Sequence, residues 1–104
     1  MKTRIRVSGQ VKAYLAARAP EGRQALKAAL KSLADWNGRA DPPRIRFLED
    51  ELTGYVRLRL GGHRVIFAEA SVRGERQIQC IFAGPRSTVY EAFAELVLDE
   101  LSMG

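Results

Sequence analysis

Cysteine and histidine occur once each in the 104 residues, as Cys80 and His63. One thiol allows no internal disulfide, and one thiol with one imidazole cannot supply the usual nitrogen and sulfur ligands of a zinc or iron site. A metal-centred mechanism is therefore not expected, and no cofactor is implied. Nowhere do 18 apolar residues run uninterrupted, and the charged opening Met1-Lys2-Thr3-Arg4-Ile5-Arg6-Val7 has no apolar run behind it. The expectation is a soluble, cytoplasmic protein with no membrane partner. Lysine is confined to Lys2, Lys12, Lys27 and Lys31, so every basic residue from Arg39 onward is arginine.

What is present is ordinary globular composition, 46% hydrophobic and 28% charged, in a length that makes one domain of residues 1-104. A chain of this size buries about two thirds of its unfolded surface and needs no staples. The net charge of +5 conceals a division. Residues 1-88 hold all 17 basic residues against 8 acidic ones, whereas residues 89-104 hold only Glu91, Glu95, Asp99 and Glu100. Because the planar guanidinium fork matches phosphate better than an ammonium does, the arginine-only half is where an anionic partner is expected. An arginine-biased genome or a thermostable surface would produce the same composition.

Residues 3-7 alternate basic and apolar, predicting a strand with Ile5 and Val7 inward. Ser8-Gly9 opens a helix with Val11, Tyr14, Leu15 and Arg18 on one face, and Pro20 separates it from a second. There Ala25, Leu26, Ala29, Leu30 and Leu33 form an apolar stripe. The two helices predict an antiparallel hairpin, stopped at Trp36-Asn37-Gly38 and followed by an extended Asp41-Pro42-Pro43 connection. Beyond residue 44 the period is two, and strands are predicted around Val56-Leu60, Val65-Phe67 and Ile78-Phe82, joined by turns at Gly61-Gly62 and Arg73-Gly74. After Gly84-Pro85, Ser87 or Thr88 caps a last helix with Tyr90, Phe93, Leu96, Val97 and Leu101 along one side. The fold class is α+β: an N-terminal strand, a two-helix hairpin, a three-stranded antiparallel meander and a C-terminal helix.

Those turns set a register. Leu60 faces His63, Arg59 faces Arg64 and Leu58 faces Val65, while on the next pair Phe67 meets Cys80, Val65 meets Phe82 and Arg64 meets Ala83. One face then reads Val56, Leu58, Leu60, Val65, Phe67, Cys80 and Phe82, the core. The other gathers Arg57, Arg59 and Arg64, with Arg86 and Tyr90 following. Two guanidinium groups directly across a strand pair repel unless an anion lies between them. Arginines beside one aromatic ring are also what single-stranded RNA recognition needs. The competing reading is a solvated face of a half-exposed sheet.

The stretch Leu52-Thr53-Gly54-Tyr55-Val56-Arg57-Leu58-Arg59-Leu60-Gly61-Gly62-His63-Arg64-Val65-Ile66-Phe67 resembles the central signature of the RelE/ParE toxin superfamily. The run Ile81-Phe82-Ala83-Gly84-Pro85-Arg86-Ser87-Thr88-Val89-Tyr90 is similar to its closing motif. The resemblance implies the RelE-like fold and the toxin of a toxin–antitoxin pair. Its activity would be that of a ribosome-dependent, metal-independent endoribonuclease cutting mRNA in the decoding site, with the ribosome, mRNA and a cognate antitoxin as partners. It assigns Arg64, Arg86 and Tyr90 to catalysis: Arg64 and Arg86 as charge stabilisers, with Arg86 near the leaving oxygen, and Tyr90 in base orientation or proton transfer. Arg57, Arg59 and His63 fall to RNA binding. Where some members carry lysine this chain has arginine, a poor general base. Histidine suits acid–base work, yet the register sets His63 beside Leu60 on the core side, as an edge histidine. Cys80 reads as an inert small hydrophobe and Glu49-Asp50-Glu51 as a solvated loop, while Tyr90 and Phe93 read equally well as core anchors of the last helix, with Tyr90 able to be both anchor and active. Two other functions stand beside the nuclease: a ParE-like gyrase inhibitor without nuclease chemistry, and an inactive RNA- or antitoxin-binding module.

Overall fold

The alternation of Arg4, Ile5, Arg6 and Val7 builds β1 (Arg4–Val7) in a computed structural model that describes residues 3–103, and side chains only as far as residue 99. Lys2 and the Leu101 side chain lie outside the described residues. Ser8 caps α1 (Gly9–Ala16) by accepting the Val11 N–H on its side-chain oxygen, and Pro20 opens α2 (Pro20–Ser32) at a position where a missing N–H costs nothing. α2 ends in a 3₁₀ turn, Leu33–Asp35, and Gly38 takes the positive φ of 83° that the stop requires. Of its predicted stripe, Leu26, Leu30 and Leu33 are buried and Ala29 half-buried, but Ala25 is exposed. At three- and four-residue spacing, the leucines alone span the buried arc.

The sheet has one strand more than the meander predicted. β2 (Ile45–Phe47) precedes β3 (Val56–Leu60), β4 (His63–Val72) and β5 (Glu75–Pro85), and the order across the sheet is β1-β5-β4-β3-β2. β1 runs parallel to β5; the other pairs are antiparallel. Pro42 and Pro43 do not extend the chain as expected. They sit in a turn closed by paired Asp41 and Ile45 backbone bonds of 2.9 Å each, where residues without an N–H leave no donor unmet. Gly61-Gly62 and Arg73-Gly74 are both two-residue turns, as predicted.

The register between β3 and β4 is the predicted one: Leu60 opposite His63, Arg59 opposite Arg64, Leu58 opposite Val65. Between β4 and β5 the prediction holds from Phe67–Cys80 outward and then breaks at a bulge, so that Ile66 faces Phe82, Val65 faces Ala83 and Arg64 faces Gly84. A bulge adds one residue to one strand and turns the following side chains over. Phe82 therefore leaves the expected core face and Ala83 takes its place. The α1 edge holds this bulge open. Gln10 Nε2 donates to the Ala83 carbonyl at 2.6 Å, Ala83 N–H donates to Gln10 Oε1 at 2.7 Å, and Ser8 Oγ donates to the Ile81 carbonyl at 2.7 Å. These bonds continue the pairing that β1 stops supplying after Val7.

Each sheet face carries its own apolar layer. Val11, Leu26, Leu30, Leu33 and Trp36 pack against Ile45, Val56, Leu58, Val65, Phe67, Ile78 and Cys80 on one side. On the other, Ile66 is covered by Val89 and Phe93 of α3 (Val89–Met103), with Tyr55, Ile81, Phe82 and Tyr90 around them. Among the described residues no helix is long and apolar enough to cross a membrane.

Cys80 is 2% exposed, and burial pushes its thiol up to about 11, which matches the inert role expected of it. Since the thiolate is the reactive form, modification by a disulfide reagent near pH 8 is expected to run at least about 100-fold slower in the folded protein than in denaturant. Stopped-flow thiol labelling measures both rates; comparable values would show that this sheet opens readily.

Candidate nucleic-acid interface

Alternation along β3 and β4 sends Arg57 and Arg64 to the side opposite Leu58 and Val65, the side on which α3 packs. Arg64 follows a two-residue glycine turn, so its position is set by the end of the hairpin. It is 6% exposed, the only buried charged side chain among the described residues. Its Nη1 donates to the carbonyls of Gly61 and His63, both at 2.8 Å, which leaves the remaining guanidinium nitrogens for other partners. Burial makes the charge costly and lowers the group's pKa; Tyr90 works the other way through its phenol, and the like charges of Arg57 and Arg59 add to the lowering. Arginine stays protonated regardless at physiological pH.

Among the described residues no carboxylate compensates this charge. The ion pairs among the described residues are Arg4–Glu75, Arg44–Asp41 and Arg76–Glu69, none of which involves Arg57, Arg59 or Arg64. A shielded cation without a counter-ion is unfavourable, so the arrangement is stabilised by whatever anion settles against it. Arg57, half-buried, is also short of partners. Its Nη2 donates to the Pro43 carbonyl, but its Nε is buried with no partner.

The structure thus brings together Arg57, Arg59, Arg64 and Tyr90. Arg59 is exposed and stands directly across from Arg64; Tyr90, half-buried in the first turn of α3, is both an anchor of the apolar layer and the aromatic neighbour of Arg64. Arg86 reaches the same end of the sheet by its backbone, donating its N–H to the Gly62 carbonyl at 2.9 Å, and its side chain is exposed. His63 departs from the group. Its Nδ1 is hydrogen-bonded to the Tyr14 hydroxyl at 2.7 Å, on the α1 side of the sheet. Arg46 was not among the expected site residues; β2 sets it opposite Arg57 on the arginine side. The alternation Ile45-Arg46-Phe47 was the signal for it. Arg44 lies beside the same row, its carbonyl accepting the Arg59 N–H at 2.8 Å.

A row of guanidinium groups on a sheet, with one phenol at its border, can hold consecutive phosphates and stack or orient one base. No protein-family model matches the chain, and no curated protein sequence does. Solved structures do share its fold. A chain of the toxin–antitoxin complex RelBE2 from Mycobacterium tuberculosis is 16% identical with a TM-score of 0.66, over 83% of this chain and 100% of that one. One from the archaeal RelE–RelB complex of Pyrococcus horikoshii is 22% identical with a TM-score of 0.64, over 83% and 97%. The YoeB dimer of Staphylococcus aureus is 23% identical with a TM-score of 0.56, over 79% and 94%. The fold is the one the resemblance implied.

Proposed function

We propose that this chain is the toxin of a type II toxin–antitoxin pair and acts as a ribosome-dependent endoribonuclease on mRNA. The observation that carries the reading is Arg64, buried with no carboxylate partner among the described residues, flanked by Arg57 and Arg59 and facing Tyr90. In the reaction, the RNA's own 2′-oxygen attacks the adjacent phosphorus and the bond to the 5′-oxygen breaks. The proton lost by the 2′-hydroxyl is matched by one gained at the leaving oxygen, and a cyclic phosphate and a 5′-hydroxyl result. The protein's share is to hold the phosphate in line and to neutralise the extra charge of the pentacoordinate transition state. Arg64 and Arg86 take that charge, Arg86 from the leaving-oxygen side. Arg57 and Arg59 hold flanking phosphates, and Tyr90 orients the base or passes a proton.

Affinity for RNA then rests on counterion release and falls with salt, by about 0.7 in log K per phosphate contacted for each tenfold rise in salt. The test adds purified protein to a reconstituted translation mix and maps mRNA ends, with a gyrase supercoiling assay in parallel. New ends within codons, confined to translated message, are expected. Intact message with supercoiling inhibited would replace the nuclease with the ParE-like reading.

The fold neighbours RelBE2 of Mycobacterium tuberculosis and RelB–RelE of Methanococcus jannaschii are toxin–antitoxin complexes, and this chain offers surfaces for an acidic, partly disordered antitoxin that folds on binding. One is the arginine face beside α3. Another is an apolar groove floored by Ile5, Val7, Leu15 and Leu30 and rimmed by Lys12, Lys27 and Lys31.

A further inference from the structure

The turn that carries Arg64 has no side chain in its two central residues. Gly61 (φ 57°) and Gly62 are the softest pair the backbone can use, so the place of the turn is decided by what grips it from outside. Three grips are present. Arg86 N–H holds the Gly62 carbonyl. Arg64 Nη1 bridges the Gly61 and His63 carbonyls. The third comes from the opposite face of the sheet, where the His63 ring is tied by the 2.7 Å bond from its Nδ1 to the Tyr14 hydroxyl, the two rings meeting edge to face with centroids 5.7 Å apart. Tyr14 is itself fixed: the Arg18 guanidinium lies 4.1 Å above its ring, and Arg18 Nε donates to its carbonyl at 3.1 Å.

We infer that Tyr14 and His63 are positioning residues for Arg64, their hydrogen bond across the edge of the sheet setting the carbonyls that hold the Arg64 guanidinium. The chain of contacts is continuous: α1 holds the imidazole, the imidazole belongs to the residue whose carbonyl accepts from Nη1, and Nη1 orients the rest of the fork. Neither ring sits on the arginine face, so neither touches a ligand bound there. Displacing a transition-state donor by about 1 Å costs about 100-fold in rate, so a partial loosening is expected to cost about tenfold. The inference rests on the nuclease reading only for its kinetic consequence; the geometry it asserts belongs to the free protein.

Tyr14→Phe removes one oxygen and keeps the ring beside His63 and under Arg18, so the fold is retained. The expected result is a kcat about tenfold lower with KM within about twofold. In an Arg64→Ala background the same substitution changes nothing further, because the route by which it acts is gone. His63→Asn, which keeps a nitrogen close to the place of Nδ1, restores the rate that His63→Ala loses. A second readout needs no activity: side-chain NMR of the free protein follows rotation about the Arg64 Nε–Cζ bond, slow while Nη1 is held by two carbonyls and several-fold faster in Tyr14→Phe. An Arg64 signal that Tyr14→Phe leaves unchanged overturns the inference whether or not the protein cuts RNA, and additive losses in the double variant overturn it as well. A wild-type protein that leaves message intact removes the nuclease reading and leaves the NMR result to decide the positioning claim.

Discussion

Arg64→Ala is expected to lower the rate of mRNA cleavage by about 10²–10³, the loss that follows removal of one preorganised donor to a developing oxyanion. The same variant is expected to lose little stability, because the two carbonyl bonds it gives up at the turn are offset by the desolvation cost it removes. Arg64 is buried with no carboxylate among the described residues to balance it, and its removal leaves Val65 and Ile66 to pack as before. Lost activity without lost stability is the mark of a group held in place for chemistry. Arg64→Lys separates charge from geometry: an ammonium keeps the charge but cannot bridge the Gly61 and His63 carbonyls while presenting a second edge to phosphate, so most of the loss should remain. Cleavage rates and thermal melts on the same preparations make the check. Wild-type cleavage by Arg64→Ala would remove the residue from the site, and a variant that melts early would make it structural.

The second large effect lies on the opposite face. Phe67→Ala is expected to cost about 3–5 kcal/mol, a large part of the roughly 5–15 kcal/mol that holds a domain together. Phe67 is 0% exposed, sits in the central part of the sheet between Val56 and Cys80, and meets the Trp36 ring edge to face at 5.2 Å. The sheet backbone around it cannot close on the space it leaves, so both the transfer energy and the cavity term apply. Urea titration should show the midpoint falling with the slope unchanged. Leu96→Ala, at an exposed position of α3, is the internal comparison and should stay within about 0.5 kcal/mol. A Phe67→Ala midpoint no lower than that of Leu96→Ala would mean that the layer beneath α1 and α2 contributes far less than its burial indicates.

Much of this site could be read along the chain. Strict alternation from Val56 to Leu60, a turn of two glycines, and Val65 and Phe67 resuming on the far side leave one register, because a slip by one residue would turn leucine and valine out of the core. That register alone puts Arg59 across from Arg64 and both away from the core. It also set His63 beside Leu60 on the α1 side, where its ring meets Tyr14.

Other features belonged to the assembled molecule. Cys80-Ile81-Phe82 is apolar at every position, so its pattern cannot say which residue the pairing skips. α3 on one face and the Gln10 amide on the other decide it, and Phe82 turns toward α3 in consequence. β2 is three residues long and its strand partner is the edge of β3, so the row from Arg46 to Arg57 appears only once that edge exists. The depth of Arg64 is of the same kind. Alternation along a strand assigns a side chain to a face, but burial is set by what later packs over that face, and here this is the first turn of a helix twenty-five residues downstream.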